Sequence, residues 1–194
     1  MKWTYHNIPD QSGRVAIVTG ANTGIGYETA RQLAMKGAYV IMTSRSKERG
    51  LQAVRRIIAE TPSATVQLGI LDLSSLHLTE RFAKTFSEQF DRLDILVNNA
   101  GVMMPPMSAT DEGCEFQFGV NFLGHFALTG LLMPLLEKTP GSRVVTVSSL
   151  AHRQGEIDFG NLRGEKDYQP MREYAQSKLA DLMFAIELQR RLES

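Results

Sequence analysis

Five short apolar runs, at residues 14–19 (RVAIVT), 39–43 (YVIMT), 65–71 (TVQLGIL), 93–97 (LDILV) and 143–147 (RVVTV), alternate with longer stretches of helical spacing. The first helix is expected over 27–36, where Ala30, Leu33 and Ala34 recur on one face before Gly37 ends it; the second over 47–60, with Leu51, Val54, Ile57 and Ile58 on one face. Further helices are expected over 74–90, 112–137 and 174–192. Strands that read as continuous apolar runs are covered on both faces, because a half-exposed strand would alternate apolar with polar. The pattern therefore predicts an α/β, doubly wound parallel sheet in a single domain over 1–194, with strand order 3-2-1-4-5.

Composition narrows the class. The 194 residues are 43% hydrophobic and 22% charged, and 21 basic side chains face 21 acidic ones. Zero formal charge removes the electrostatic case for nucleic acid as the main partner. The single cysteine, Cys114, excludes an internal disulfide framework, and His6, His77, His125 and His152 are too scattered for a zinc site, so no metal is expected. The N-terminal residues lack a secretory h-region. The most apolar stretch, 123–136, is interrupted by Gly124, His125, Gly130 and Pro134 and reads as a buried helix. No membrane contact and a cytoplasmic location are the expectations.

In such sheets ligands lie beyond the carboxyl ends of the strands. After the first strand stands Thr19-Gly20-Ala21-Asn22-Thr23-Gly24-Ile25-Gly26, whose glycines allow a sharp turn, close approach to a pyrophosphate and tight helix packing. After the second stand Arg45 and Lys47, with no carboxylate before Glu48. Cations there suit a ribose 2′-phosphate, which favours NADP, with NAD as the alternative; solvated charges at a helix start are the plainer reading. Asp72 suits either an adenine contact or the cap of the next helix. The fourth strand ends in Asn98-Asn99-Ala100-Gly101, followed by Met103, Met104, Pro105, Pro106 and Met107, which suit an adaptable apolar substrate wall or core filling.

After the fifth strand come Ser148 and Ser149, and 25 residues past Ser149 lies Tyr174-Ala175-Gln176-Ser177-Lys178. Residues four apart share a helix face. A phenol has a reference pKa of about 10, but an ammonium about 4 Å away at an effective dielectric of about 20 contributes about 4 kcal/mol, roughly three pKa units. Lys178 could thus make Tyr174 a working acid and base. A hydroxyl from Ser148 or Ser149 would hold the substrate oxygen, and the pattern does not choose between them; Asn121 could fix a water in a proton relay. An ordinary surface helix pair is the plainer reading of Tyr174 and Lys178 alone.

These motifs, in this order, resemble those of the short-chain dehydrogenase/reductase family over nearly the whole chain. The wording VTGANTGIGYETA, FGVNFLGHFALT, VVTVSSLAH and YAQSKLADLMF is most similar to the branch that includes retinol dehydrogenases and the dehydrogenase domain of WW-domain oxidoreductases. The resemblance implies that Tyr174 is the general acid/base, Lys178 its partner and a ribose ligand, Ser149 the carbonyl-oxygen donor and Asn121 the fourth member. It also implies a cofactor site built from Gly20, Asn22, Thr23, Gly24, Ile25, Gly26, Arg45, Asp72, Leu73, Asn98, Ala100 and Gly101, together with Tyr174 and Lys178. Family members continue past the position of Ser194 with further strands, a Pro-Gly turn at the nicotinamide and a substrate lid, so a C-terminally truncated sheet with an open edge at 143–147 is expected. The expected function is hydride transfer between NADP and an apolar alcohol or carbonyl. The alternative is a nucleotide-binding or interaction module without turnover. The apolar faces of the last two long helices suit either a homo-oligomer interface or plain core.

Overall fold

The computed structural model describes residues 4–193. Five parallel strands, β1 (Val15–Val18), β2 (Tyr39–Ser44), β3 (Thr65–Ile70), β4 (Ile95–Asn98) and β5 (Arg143–Thr146), lie in the order β3-β2-β1-β4-β5. The reversal falls at β1, from which the chain runs outward first through β2 and then through β4. This opens a crevice beyond the carboxyl ends of those strands.

Period-two alternation explains why β1 is apolar throughout. Val15 and Ile17 enter one core layer with Leu96, Leu128, Leu132 and Phe86, beneath α3 (Leu76–Gln89) and α4 (Gly124–Lys138). Ala16 and Val18 enter the other with Tyr27, Ala30, Val54 and Ile57, beneath α1 (Gly24–Met35) and α2 (Lys47–Glu60).

The long helix expected from 112 begins later. Residues Ala109 and Glu115 form an isolated antiparallel bridge, and the fully buried Glu115 carboxylate accepts the Gln117 and Phe118 amides at 2.9 and 2.7 Å. Burial pushes this carboxyl above its ordinary range. A π-helical segment, Phe118–Leu123, then leads into α4. Residues Phe118–Lys138 are long and apolar enough to cross a membrane by length and composition. In this fold Leu128, Leu132, Leu135 and Leu136 of that stretch are buried in the core.

The last helix, α5 (Pro170–Leu192), starts four residues before the expected position because Pro170 sits in its first turn, where a missing N–H costs nothing. Among the described residues β5 pairs only with β4, and Val145 is 47% exposed there.

Candidate active site

A cleft of about 610 Å³ opens at the topological switch point, lined by the glycine loop after β1, the ends of β2, β4 and β5, and the start of α5. Gly20 and Gly24 have φ of +61° and +59°, the left-handed region that favours glycine. At Gly20 a Cβ would also stand 2.8 Å from the Ala100 Cα, so the loop after β1 packs directly on the turn after β4. The amides of Gly24, Ile25 and Gly26, at the start of α1, have no protein partner among the described residues. Gly20, Asn22, Thr23, Ile25 and Gly26 line the cleft; Gly24 turns the chain there without lining it. Free amides at a helix N-terminus are what a pyrophosphate requires, so the loop fits a dinucleotide.

Thr19 ties the two loops together. Its hydroxyl accepts from the Asn99 and Ala100 amides, both at 2.9 Å, and lies 2.8 Å from His125 Nε2. His125 Nδ1 is 2.7 Å from the Asn121 carbonyl, which can only accept; Nδ1 therefore carries the proton and Nε2 receives the one from Thr19. Burial, reinforced by the charge of Lys178, pushes the His125 pKa down to about 4, consistent with a neutral ring.

On the β2 side Ser44, Arg45, Ser46 and Arg49 line the cleft. Lys47 does not. The second cation expected from the sequence is corrected to Arg49, because the first turn of α2 carries Lys47 outward and brings residue 49 round to the cleft. Asp72 Oδ1 accepts the Ser74 amide and hydroxyl at 3.0 and 2.7 Å, while Ser75 is the residue preceding α3. Asp72 thus shapes a turn at the cleft wall beside Leu73 and is not the helix cap. Asn98, expected against the cofactor, turns instead into the core. Its Nδ2 donates to Thr129 at 2.9 Å, and Asn99, Ala100 and Gly101 line the cleft in its place.

At the opposite end stand Val147, Ser148, Ser149, Tyr174 and Lys178. The Ser148 hydroxyl is committed to the Lys178 carbonyl at 2.7 Å. The Ser149 hydroxyl accepts from the Ala151 amide at 3.2 Å and keeps its proton free to donate. Lys178 Nζ lies 6.0 Å from the Tyr174 ring centre, donates to the Val147 carbonyl at 3.0 Å and pairs with Asp181 at 2.8 Å. Asn121, expected to fix a water in the relay, is not among the residues that line the cleft. Its Oδ1 accepts from Val102 N at 2.8 Å, and its Nδ2 donates to Val102 O and Ser177 Oγ at 3.0 and 2.9 Å. Ser177 in turn donates to the Tyr174 carbonyl, so Asn121 braces the helix turn that presents the phenol.

The methionine-bearing segment is held from behind. Met104, the one non-glycine described residue with positive φ (+52°), donates its amide to Gln117 Oε1 at 2.8 Å. The fully buried Gln117 also donates to the Pro170 carbonyl at 2.9 Å and to the Tyr168 hydroxyl at 3.3 Å, and Tyr168 donates to the Pro105 carbonyl at 2.6 Å. Met103, Met104 and Met107 remain substantially exposed and do not fill the core; of the three, Met103 lines the cleft.

The sequence pattern of the family described as short chain dehydrogenase matches residues 14–194. The chain belongs to that family. It is similar to human retinol dehydrogenase 11, at 49% identity over 93% of this chain and 57% of that protein. It is also similar to mouse polyprenol dehydrogenase, at 48% over 96% and 57%. The chain thus spans 57% of the length of these curated relatives. Among solved structures it is similar to an uncharacterized protein from Mycobacterium paratuberculosis (TM-score 0.88, 43% identity, covering 100% of this chain and 68% of that one). A short chain dehydrogenase from Shigella flexneri, solved complexed with NADP, superposes with a TM-score of 0.74 at 29% identity, covering 93% of this chain and 72% of that one.

Proposed function

We propose that the protein is an NADP-dependent oxidoreductase acting on an apolar alcohol or its carbonyl counterpart. The observation that carries this reading is that one cleft brings Ser149, Tyr174 and Lys178 to one end and a glycine loop with free amides to the other. The bound nicotinamide supplies the hydride, which no side chain can donate. In the reducing direction Ser149 donates a hydrogen bond to the carbonyl oxygen, and Tyr174 gives that oxygen its proton as the carbon gains the hydride. Lys178 places positive charge beside the phenol, and Asn121 holds the turn on which the phenol sits. Two guanidinium groups, Arg45 and Arg49, support NADP over NAD because they suit a 2′-phosphate.

The apolar substrate class is supported by Met103 in the cleft lining, with exposed Met104 and Met107 next to it in the chain, and by the retinol and polyprenol dehydrogenases among the similar proteins. Phe126, Met183 and Ile186, each more than half exposed on α4 and α5, support assembly with a second copy; sedimentation velocity would show a dimer.

Calorimetry with NADPH and NADH, set beside turnover of apolar aldehydes and ketones, tests the reading. Tighter NADPH binding with turnover is expected. Binding without turnover would support a nucleotide-binding module instead, and absence of both would overturn the proposal.

A further inference from the structure

The Lys178 ammonium does not stand alone beside the phenol. Its side chain is 6% exposed and that of Asp181 only 2%, and the two meet at 2.8 Å one helical turn apart. The Val147 carbonyl accepts a second hydrogen bond from Lys178 Nζ at 3.0 Å, and Ser148 clamps the Lys178 backbone carbonyl. Asp181 Oδ1 is buried without a partner, so the carboxylate is turned onto the lysine through one oxygen only. We propose that Asp181 is a positioning residue of the proposed reaction: it holds the Lys178 ammonium at the end of β5 and offsets its charge, and so sets the pH range over which Tyr174 exchanges its proton.

The electrostatics favour a tuning role. A carboxylate in contact with a buried ammonium turns the field felt by the phenol from that of a monopole into that of a short dipole. Burial pushes the Asp181 pKa up to about 6 even with Lys178 pulling it down, so the carboxylate is charged through neutral and basic pH. Other ionisable groups lie on the elements packed around α5. His125 on α4 faces Lys178 but is neutral in this range. His152 on the Leu150–Gln154 turn directs Nδ1 to the Ser149 carbonyl. Arg153 on that turn and Arg143 on β5 are exposed, and Glu173 on α5 itself pairs with Arg172. Among the described residues Asp181 is the carboxylate paired with the Lys178 ammonium.

The proposal rests on Tyr174 being the proton-transfer group, and its test separates the two claims. The pH dependence of kcat/KM is measured for the unmutated protein, Asp181→Asn, Asp181→Ala, Asp181→Glu and Tyr174→Phe. The 295 nm difference titration of each NADP-bound protein against Tyr174→Phe gives a readout independent of turnover. Removing the negative charge stabilises the phenolate, so both neutral variants should move the limb to lower pH by about one unit, a tenfold change in the proton equilibrium. Asp181→Glu should restore the limb towards its original position. A merely structural role would lower stability and leave the limb in place; coincident limbs overturn the proposal. If neither neutral variant folds, the carboxyl carbon resonance of Asp181 in the unmutated protein decides. A second inflection at the pH of the limb supports the coupling, and its absence overturns it. If Tyr174→Phe keeps the limb, the reading of the reaction fails first and this proposal with it.

Discussion

The Ser148 hydroxyl donates to the Lys178 carbonyl at 2.7 Å, fastening the end of β5 to the helix that carries the candidate acid. Of the two adjacent serines, this leaves Ser149 with a donor for substrate. Ser149→Ala should lower kcat by about 10²–10³, the usual consequence of losing a donor to a reacting oxygen. Ser148→Ala should act chiefly on stability, by about 1 kcal/mol. Steady-state kinetics beside urea unfolding of both variants checks the division; equal losses of kcat would contradict it.

His125 and Asp181 oppose one another in their pH linkage. The His125 pKa falls from 6.5 unfolded to about 4 folded, so its contribution is present above pH 6.5 and is lost as pH falls towards 4. The Asp181 pKa rises from 3.8 to about 6, so its contribution is present below pH 3.8 and is lost as pH rises through 6. The two nearly cancel between these limits. Asp181→Asn should therefore make stability fall more steeply on acidification from pH 6.5 to 4 than in the unmutated protein, by up to about 1.4 kcal/mol per pH unit. His125→Asn should tilt the same curve the other way. Urea midpoints across this range check the signs, and curves parallel to the unmutated one would contradict them.

Gln117 links the Met104 turn to the first turn of α5 through two hydrogen bonds of 2.8 and 2.9 Å. Gln117→Leu would leave the Met104 amide and the Pro170 carbonyl without this partner, at a cost of about 2–4 kcal/mol. With the methionine-bearing segment released, KM for long apolar carbonyls should rise about tenfold, while KM for short ones and NADPH affinity change little. Kinetics with a chain-length series beside cofactor calorimetry reads this out; a uniform loss for all substrates would contradict it.

The sheet was legible because β1, β2 and β4, buried on both faces, write themselves as apolar runs, and each strand falls within two residues of its run; the edge strands β3 and β5, expected to be covered on both faces as well, instead alternate exposed with half-buried positions. The start of the long helix was not. Glu115 looks like an ordinary polar helix position until the fold buries its carboxylate beneath the Gln117 and Phe118 amides. The π segment also escapes periodicity, since a slip in backbone hydrogen bonding leaves the apolar pattern intact.

At the site, the glycine loop, Arg45, the Ser148-Ser149 pair, Tyr174 and Lys178 were each legible as chemistry at a strand end or on a shared helix face, while the division between the two serines comes from the Ser148 hydrogen bond to the Lys178 carbonyl. Asn98 was misplaced because neighbouring strand residues face opposite ways and the phase at a strand end is set by the partner strand. Arg49 lay hidden inside a helix pattern as a solvent-face charge. Asp181 had a visible signal, three residues after Lys178, but only burial distinguishes that pair from a surface ion pair. Thr19, His125 and Gln117 act through contacts far apart in sequence, which no local pattern carries.

The central claim is that the Tyr174 phenol hands its proton to a substrate oxygen. The most direct measurement is the turnover number of Tyr174→Phe for NADPH-dependent reduction of an apolar aldehyde, with NADPH affinity measured on the same sample. The expected result is a fall of about 10²–10⁴-fold in kcat, with NADPH affinity held within about threefold. Turnover equal to that of the unmutated protein would contradict the account.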